Sequence, residues 1–235
     1  LEENKINRVG APIERPVDVR VIAATNVDLP GRVAQARMGA AADAARGKWR
    51  LLLAGDWMAM GEAMAQAPAG SGSVIFLPWL NGALVPSEAP HARGGFMNMS
   101  LNTTRHHMAR AVMEGLAFNN RWTRRPAEKF IGRPIDHFRF SGGGALSDLW
   151  SQIHADVLGV PIHQVEDPVN ATVRGAAFLA LLSLNHIALE DIPERITMKR
   201  VFQPDPNNRA VYDKMYRQYR MLFKKNKKIF KALNE

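Results

Sequence analysis

"FRFSGGGALSDLW", residues 138–150, carries three consecutive glycines between an apolar run and a helical pattern. "IDHFRFS" alternates Ile135, His137/Phe138 and Phe140 and reads as a short strand. Beyond the glycines, Leu149, Ile153 and Val157 recur at helical spacing, which predicts a helix from Asp148 to about Leu158. Ser147 stands where that helix needs a side-chain acceptor for its first free N–H groups. Glycines at such a turn let the backbone lie against a flat or bulky ligand. Equally, a tight strand-to-helix turn needs glycine with no ligand at all. Asp148 adds a sign to the ligand reading. A first-turn carboxylate suits the helix dipole but repels a polyphosphate, so a nucleotide here would meet the glycines through base and ribose. The spacing is neither the G-x-x-x-x-G-K-[ST] of a phosphate loop nor G-x-G-x-x-G.

The flanking sequence alternates strand and helix. Upstream, "VIFLPWL" (74–80) reads as a strand and residues 81–96 as a long loop. A long helix follows, capped by Asn102, Thr103 or Thr104, with Met108, Val112 and Leu116 as its stripe, and it is expected to stop before Pro126. Downstream, "VPIHQVE" reads as a strand and "ATVRGAAFLALLSLN" as a helix whose Gly175, Ala176 and Ala177 permit close packing. Residues 191–206 read as a proline-spaced connection before a final helix. Nearer the start, "VDVRVIAATN" (17–26) reads as a strand, 32–47 as a helix and 50–67 as one or two short helices. The alternation places the chain in the α/β class.

Composition narrows the options. No apolar run approaches the ~20 residues of a membrane helix. The charged opening "LEENKINRVG" lacks the apolar core of a secretory leader. With no cysteine among 235 residues, disulfides and thiolate metal sites are excluded, which fits a cytoplasmic protein. The formal net charge of +9 is concentrated in the last twenty-odd residues, read as the solvated face of a helix packing through Val211, Met215, Leu222 and Phe230.

Five stretches, in order, carry a family resemblance: "PAGSGSVIFLPWLNG" (68–82), "ARGGF" (92–96), "RHHMARAVMEGLAF" (105–118), "FSGGGALSDLWSQIHADVLGVPI" (140–162) and "ATVRGAAFLALL" (171–182). Over about 55–233 the chain resembles the C-terminal domain of FGGY carbohydrate kinases, xylulokinase-like. The resemblance implies a partial ribonuclease-H-like (actin-like ATPase) lobe with several long helices. It also implies ATP, accompanied by Mg²⁺, in the cleft between two lobes, and phosphoryl transfer to a sugar or polyol hydroxyl in the complete enzyme. Gly142, Gly143, Gly144 and Ser147 match the positions that face the adenine. Arg110, Glu114, Gln152 and Asp156 match positions expected to hold helices together. Asn98 and Thr103 depart from the family, which usually has glycine and histidine there.

The family's phosphate turns and catalytic aspartate have no match here. Asp56 and Asp148 are better explained as a helix cap and a first-turn residue than as a base. The chain by itself is therefore expected to be inactive, with sugar binding only beside a complete N-terminal lobe. A second reading is a truncated or fused interaction protein that keeps adenine-nucleotide affinity or forms an oligomer through an exposed interlobe face. Residues 7–30, with Arg8, Val9, Gly10 and the run Arg20 to Asn26, resemble a fragment of AAA+ activators that work with the alternative sigma factor; residues 31–54 are then expected to form a helical junction. Neither nucleic acid nor a membrane is an expected partner. The seven histidines show no metal-ligand spacing, and no G-x-S-x-G elbow occurs. Trp79, Trp122 and Trp150 are expected to pack in the core or at its rim rather than stack bases.

Overall fold

The structure, a computed structural model, describes Gly61, residues 64–235 and two short strand segments near the start. The strand at 17–26, the helix at 32–47, most of the 50–67 helical stretch and Asp56 lie outside the described residues. The chain divides into two compact units, Leu1–Gly55 and Asp56–Glu235. In the first, β1 (Lys5–Ile6) pairs antiparallel with β2 (Arg15–Pro16).

In the second unit, β3 (Ile75–Leu77) pairs antiparallel with β4 (Gly95–Met97), closing the 78–94 loop into a hairpin. β4 was not legible in the sequence: it opens on glycine and shows no apolar alternation. Helix α1 (Arg105–Ile131) follows. Thr104 is its N-cap: the Thr104 hydroxyl accepts from the His107 N–H at 3.3 Å, and His107 Nδ1 accepts from the Thr104 N–H at 3.2 Å. Such reciprocal capping satisfies two donors that a helix start leaves free. Thr103 instead accepts from the Ser100 N–H.

Two expectations for α1 are corrected. The helix runs through Pro126 to Ile131 and ends at Gly132, in the left-handed conformation (φ 71°). Tertiary anchors hold the turns beyond the proline: Arg124 donates to the carbonyls of Leu158 and Ile135, and Glu128 accepts the Ile135 N–H. The buried face is also displaced from the expected stripe. Ala109, Met113, Ala117, Phe118 and Trp122 are buried, whereas Met108, Val112 and Leu116 are only partly so.

A β-α-β unit comes next: β5 (Phe138–Phe140), α2 (Asp148–Leu158) and β6 (Ile162–Val165). β5 and β6 are parallel, with Phe138 opposite Ile162 and Phe140 opposite Gln164. β7 (Met198–Phe202) pairs antiparallel with β6, completing the order β5-β6-β7. This strand lies inside the stretch read as a plain connection. Its sequence, MKRVF, buries only Phe202, so the apolar signal was too thin to read. Between β6 and β7 stands α3 (Ala171–Ser183), an apolar helix with no buried residue.

Helix α4 (Arg209–Asn234) packs on α1 and α2. Its Tyr212, Met215, Tyr219 and Phe223 are buried; Val211, Leu222 and Phe230 pack partly against the same cluster. Trp79 and Trp122 lie in that cluster, edge-on to Phe223 with ring centroids 5.0 and 4.8 Å away. A second, smaller core of Ala155, Leu158, Val160, Ile162 and Phe202 joins α2 to the three-stranded sheet.

Candidate nucleotide-binding turn

β5 ends at Phe140, and the chain enters the glycines in an unusual conformation. Gly142 sits at φ 86°, ψ 179°, a region closed to side-chain-bearing residues. Gly143–Leu146 then forms a single 3₁₀ turn, leading directly into α2. The turn is fixed from three sides. The Gly142 N–H donates to the Pro168 carbonyl at 2.7 Å. The Gln164 amide, fully buried on β6, donates to the Ala145 carbonyl at 2.6 Å and to Asp148 at 3.0 Å. Ser147 caps α2, its hydroxyl accepting the Trp150 N–H at 3.2 Å.

The glycines differ in what surrounds them. No atom lies within 4 Å of where a side chain would start at Gly142 or Gly143. At Gly144 a β-carbon would come 2.6 Å from the Trp150 ring and 3.3 Å from the Phe140 ring. Gly144 is therefore a packing glycine, needed so that the indole of α2 can close on the turn. Gly142 and Gly143 present bare backbone to open space.

Asp148 is held by Gln164, by Arg200 at 3.3 Å and by Lys199 at 4.0 Å. These contacts, together with its first-turn position, account for its carboxylate. Gln164 and Pro168 are site residues that sequence reasoning missed. Gln164 sits one alternation beyond Ile162 on the inward face of β6, which marks it as a buried polar group in need of partners.

Away from the turn, a cavity of about 230 Å³ lies between α1, α2 and β5, lined by Asn120, Ala127, Phe138, Phe140 and His154 among others. His154 forms its polar corner. Its Nδ1 lies 2.9 Å from the Trp150 carbonyl and its Nε2 lies 3.1 Å from the Asn120 amide nitrogen. Burial pushes the imidazole pKa down to about 4, so it is neutral, donating from Nδ1 and accepting at Nε2.

The four helix-holding positions act as expected. Glu114, 1% exposed, accepts from the Gly70 N–H, the Ser71 hydroxyl, Arg110 and Tyr212, tying α1 to α4 and to the 67–73 loop. Gln152 donates to Asp156 at 2.7 Å and to the Gln203 carbonyl at 2.8 Å; Asp156 also accepts from the Asp205 N–H and the Asn208 amide. Asn98 adopts φ 61°, a conformation glycine takes freely and asparagine tolerates best among the rest, and its amide donates to the Ser73 carbonyl.

Residues 17–184 match the FGGY family of carbohydrate kinases, C-terminal domain. The chain belongs to this family. The match starts at residue 17 and so takes in much of the segment 7–30 that the sequence alone assigns to an AAA+-like fragment. Relatives of this FGGY domain include the glycerol kinase of Leptothrix cholodnii, 36% identical over 155 residues, covering 63% of this chain and 31% of the relative. The glycerol kinase of Myxococcus xanthus is 38% identical over 156 residues, covering 63% and 31%. Among solved structures, gluconate kinase from Lactobacillus acidophilus superposes with a TM-score of 0.65 at 28% identity, covering 77% of this chain and 37% of that one. Ligand-bound xylulose kinase from the same organism gives 0.62 at 30%, covering 72% and 34%. The chain thus spans about a third of the length of the kinases it matches. Its α/β architecture is the one these FGGY kinases share.

Proposed function

We propose that this FGGY domain is the nucleotide-binding lobe of an ATP-dependent kinase that phosphorylates a sugar or polyol hydroxyl, working in the cytoplasm. The observation that carries the reading is the open backbone at Gly142 and Gly143, on a turn pinned by Pro168, Gln164 and Ser147. A rigid surface without side chains suits the flat face of adenine. Gly142 and Gly143 supply the contact; Gly144 and Ser147 hold its shape. The Asp148 carboxylate keeps the phosphates away from this helix start and toward a second lobe. When bound, ATP supplies the transferable phosphoryl group, and Mg²⁺ travels with its phosphates. Among the described residues no cluster of three histidine, aspartate or glutamate side chains is placed to hold the ion by itself. The facing lobe supplies the sugar site and the base, since phosphoryl transfer needs an acceptor for the hydroxyl proton and in-line positioning. The kinases it resembles act on glycerol, gluconate and xylulose, so the acceptor is a small polyhydroxylated molecule.

A second reading, a non-catalytic interaction protein with residual nucleotide affinity, is favoured by α3. Val173 is 69% exposed, Leu179 67% and Leu184, just past its end, 65%, an apolar surface of the kind that marks a contact with another body. Isothermal titration with Mg-ATP tests the nucleotide site. The parent chain is expected to release heat, and Gly143→Asp, which places a charged side chain in the open space, to weaken binding by at least about tenfold (~1.4 kcal/mol). Undiminished binding by the variant would remove the glycines from the site; no binding by the parent would leave only the fold in common with the kinases.

A further inference from the structure

The last three turns of α4 keep one edge on the protein, where Phe230 packs partly against the core cluster and Asn234 donates to the His91 carbonyl, and turn the rest outward. Phe223 is its final buried residue, yet the helix continues to Asn234. Over that stretch Lys224, Lys225, Lys227 and Lys228 are all exposed, and no carboxylate among the described residues lies within ion-pairing distance of them. Lys231 pairs with Glu235 at 3.2 Å, and Arg220 is drawn over the Trp122 ring at 4.6 Å. The sequence alone reads this run as an ordinary solvated face. The structure adds a second feature. Met221, Ile229 and Leu233 are 44%, 53% and 76% exposed, and none belongs to the core cluster.

Successive residues turn by ~100° and rise by ~1.5 Å, so these three apolar residues form an oblique strip about 18 Å long that spreads over ~120° of the helix circumference. Lys225 sits within the strip. Lys224 and Lys228 border it, with Lys227 and Lys231 further round. The exposed surface is therefore itself divided into an apolar strip and a cationic band, while the opposite side of the helix is anchored in the protein. A phosphodiester backbone would take the cations and leave the apolar strip in water. The surface of an anionic bilayer takes both: lysine ammonium groups meet lipid phosphates while their stems and the neighbouring apolar side chains enter the acyl boundary.

We propose that the C-terminal part of α4 is a peripheral docking surface for anionic lipid bilayers, in place of the absence of any membrane partner expected from the sequence. The helix needs no folding on contact, because Tyr219 and Phe223 anchor its middle and Phe230 and the Asn234–His91 hydrogen bond hold its end.

The test is co-sedimentation of the full chain with vesicles of phosphatidylcholine alone and with one quarter phosphatidylglycerol, at ~0.1 M and ~1 M salt. Binding is expected only to the anionic vesicles and is expected to weaken steeply at high salt. Lys224→Gln/Lys225→Gln/Lys227→Gln/Lys228→Gln is expected to weaken it by about a hundredfold or more, since each lysine near such a surface contributes roughly fivefold. Ile229→Ser/Leu233→Ser is expected to reduce it severalfold while leaving the charge intact. All six positions are exposed, and an unchanged thermal midpoint confirms that the variants remain folded. Failure of the parent to bind anionic vesicles overturns the proposal, as does undiminished binding by the quadruple variant. Tighter binding to double-stranded DNA that is indifferent to the Ile229→Ser/Leu233→Ser change assigns the band to nucleic acid and overturns it too.

Discussion

The Tyr212 hydroxyl donates to Glu114 Oε1 at 2.9 Å across 98 residues of sequence, and accepts from Arg110 Nη2 at the same distance. Tyr212 is fully buried, and burial first, then the Glu114 charge, push its phenol pKa up, so it remains a donor at any physiological pH. This small network ties the beginning of α4 to the middle of α1. Removing a member leaves the others desolvated without a partner, which costs more than the net value of one hydrogen bond. Tyr212→Phe is expected to lower the unfolding free energy by about 1–3 kcal/mol. Glu114→Ala, which strands the Arg110 charge, is expected to cost about 3–5 kcal/mol. Urea unfolding of both variants checks the order.

The three glycines of the turn separate by substitution. Gly144→Ala drives a methyl group to 2.6 Å from the Trp150 ring. Overpacking of this kind costs about 1–3 kcal/mol. Trp150→Phe in the same chain is expected to recover part of the loss, a coupling that marks the two residues as neighbours. Gly143→Ala meets no atom within 4 Å and is expected to change stability by less than about 0.5 kcal/mol. Thermal unfolding of the set distinguishes a packing glycine from an open one.

Gly115 tests how closely α1 approaches β3. A β-carbon there would lie 2.3 Å from the Phe76 carbonyl oxygen. Alanine would favour the helix by up to about 1 kcal/mol in isolation. Here the obstructing atom is main chain in a strand flanked by buried Ile75 and Leu77, and it has little room to retreat. Gly115→Ala is therefore expected to destabilise by more than about 2 kcal/mol, in the upper part of the overpacking range. A lower denaturation midpoint in guanidinium checks it; a midpoint at or above the parent's would contradict the close approach.

His154 predicts an acid limb. Its folded pKa of about 4 lies below the ordinary 6.5, so the folded state resists the proton that the unfolded chain takes up. The stabilisation is complete above pH 6.5 and is lost as pH falls toward 4, a total of about 3 kcal/mol. Between those limits the unfolding free energy of the parent should fall with decreasing pH. In His154→Gln that portion of the slope should be absent, measured by urea titrations across the window.

The sequence by itself determined the β-turn-α unit at 138–158, because strand alternation, consecutive glycines, a capping serine and a helical stripe all act within a few residues. Helix α2 begins and ends where its pattern does, with Ser147 as cap and Gly159 in the left-handed conformation. The family was legible as well, since ordered blocks spread along the chain do not depend on contacts. Only the tertiary structure decided what distant segments settle. α1 crosses Pro126 because Arg124 and Glu128 hold its last turns from outside the helix. Its buried face follows the elements packed around it, and so falls on Met113, Ala117 and Phe118 rather than on the expected stripe. β4 and β7 exist through pairing with β3 and β6, which supply the hydrogen bonds and register that their own sequences barely signal. The division of the glycine turn is likewise tertiary. Gly142, Gly143 and Gly144 are identical letters, and only the position of the Trp150 ring separates the glycine that packs from the two that face open space.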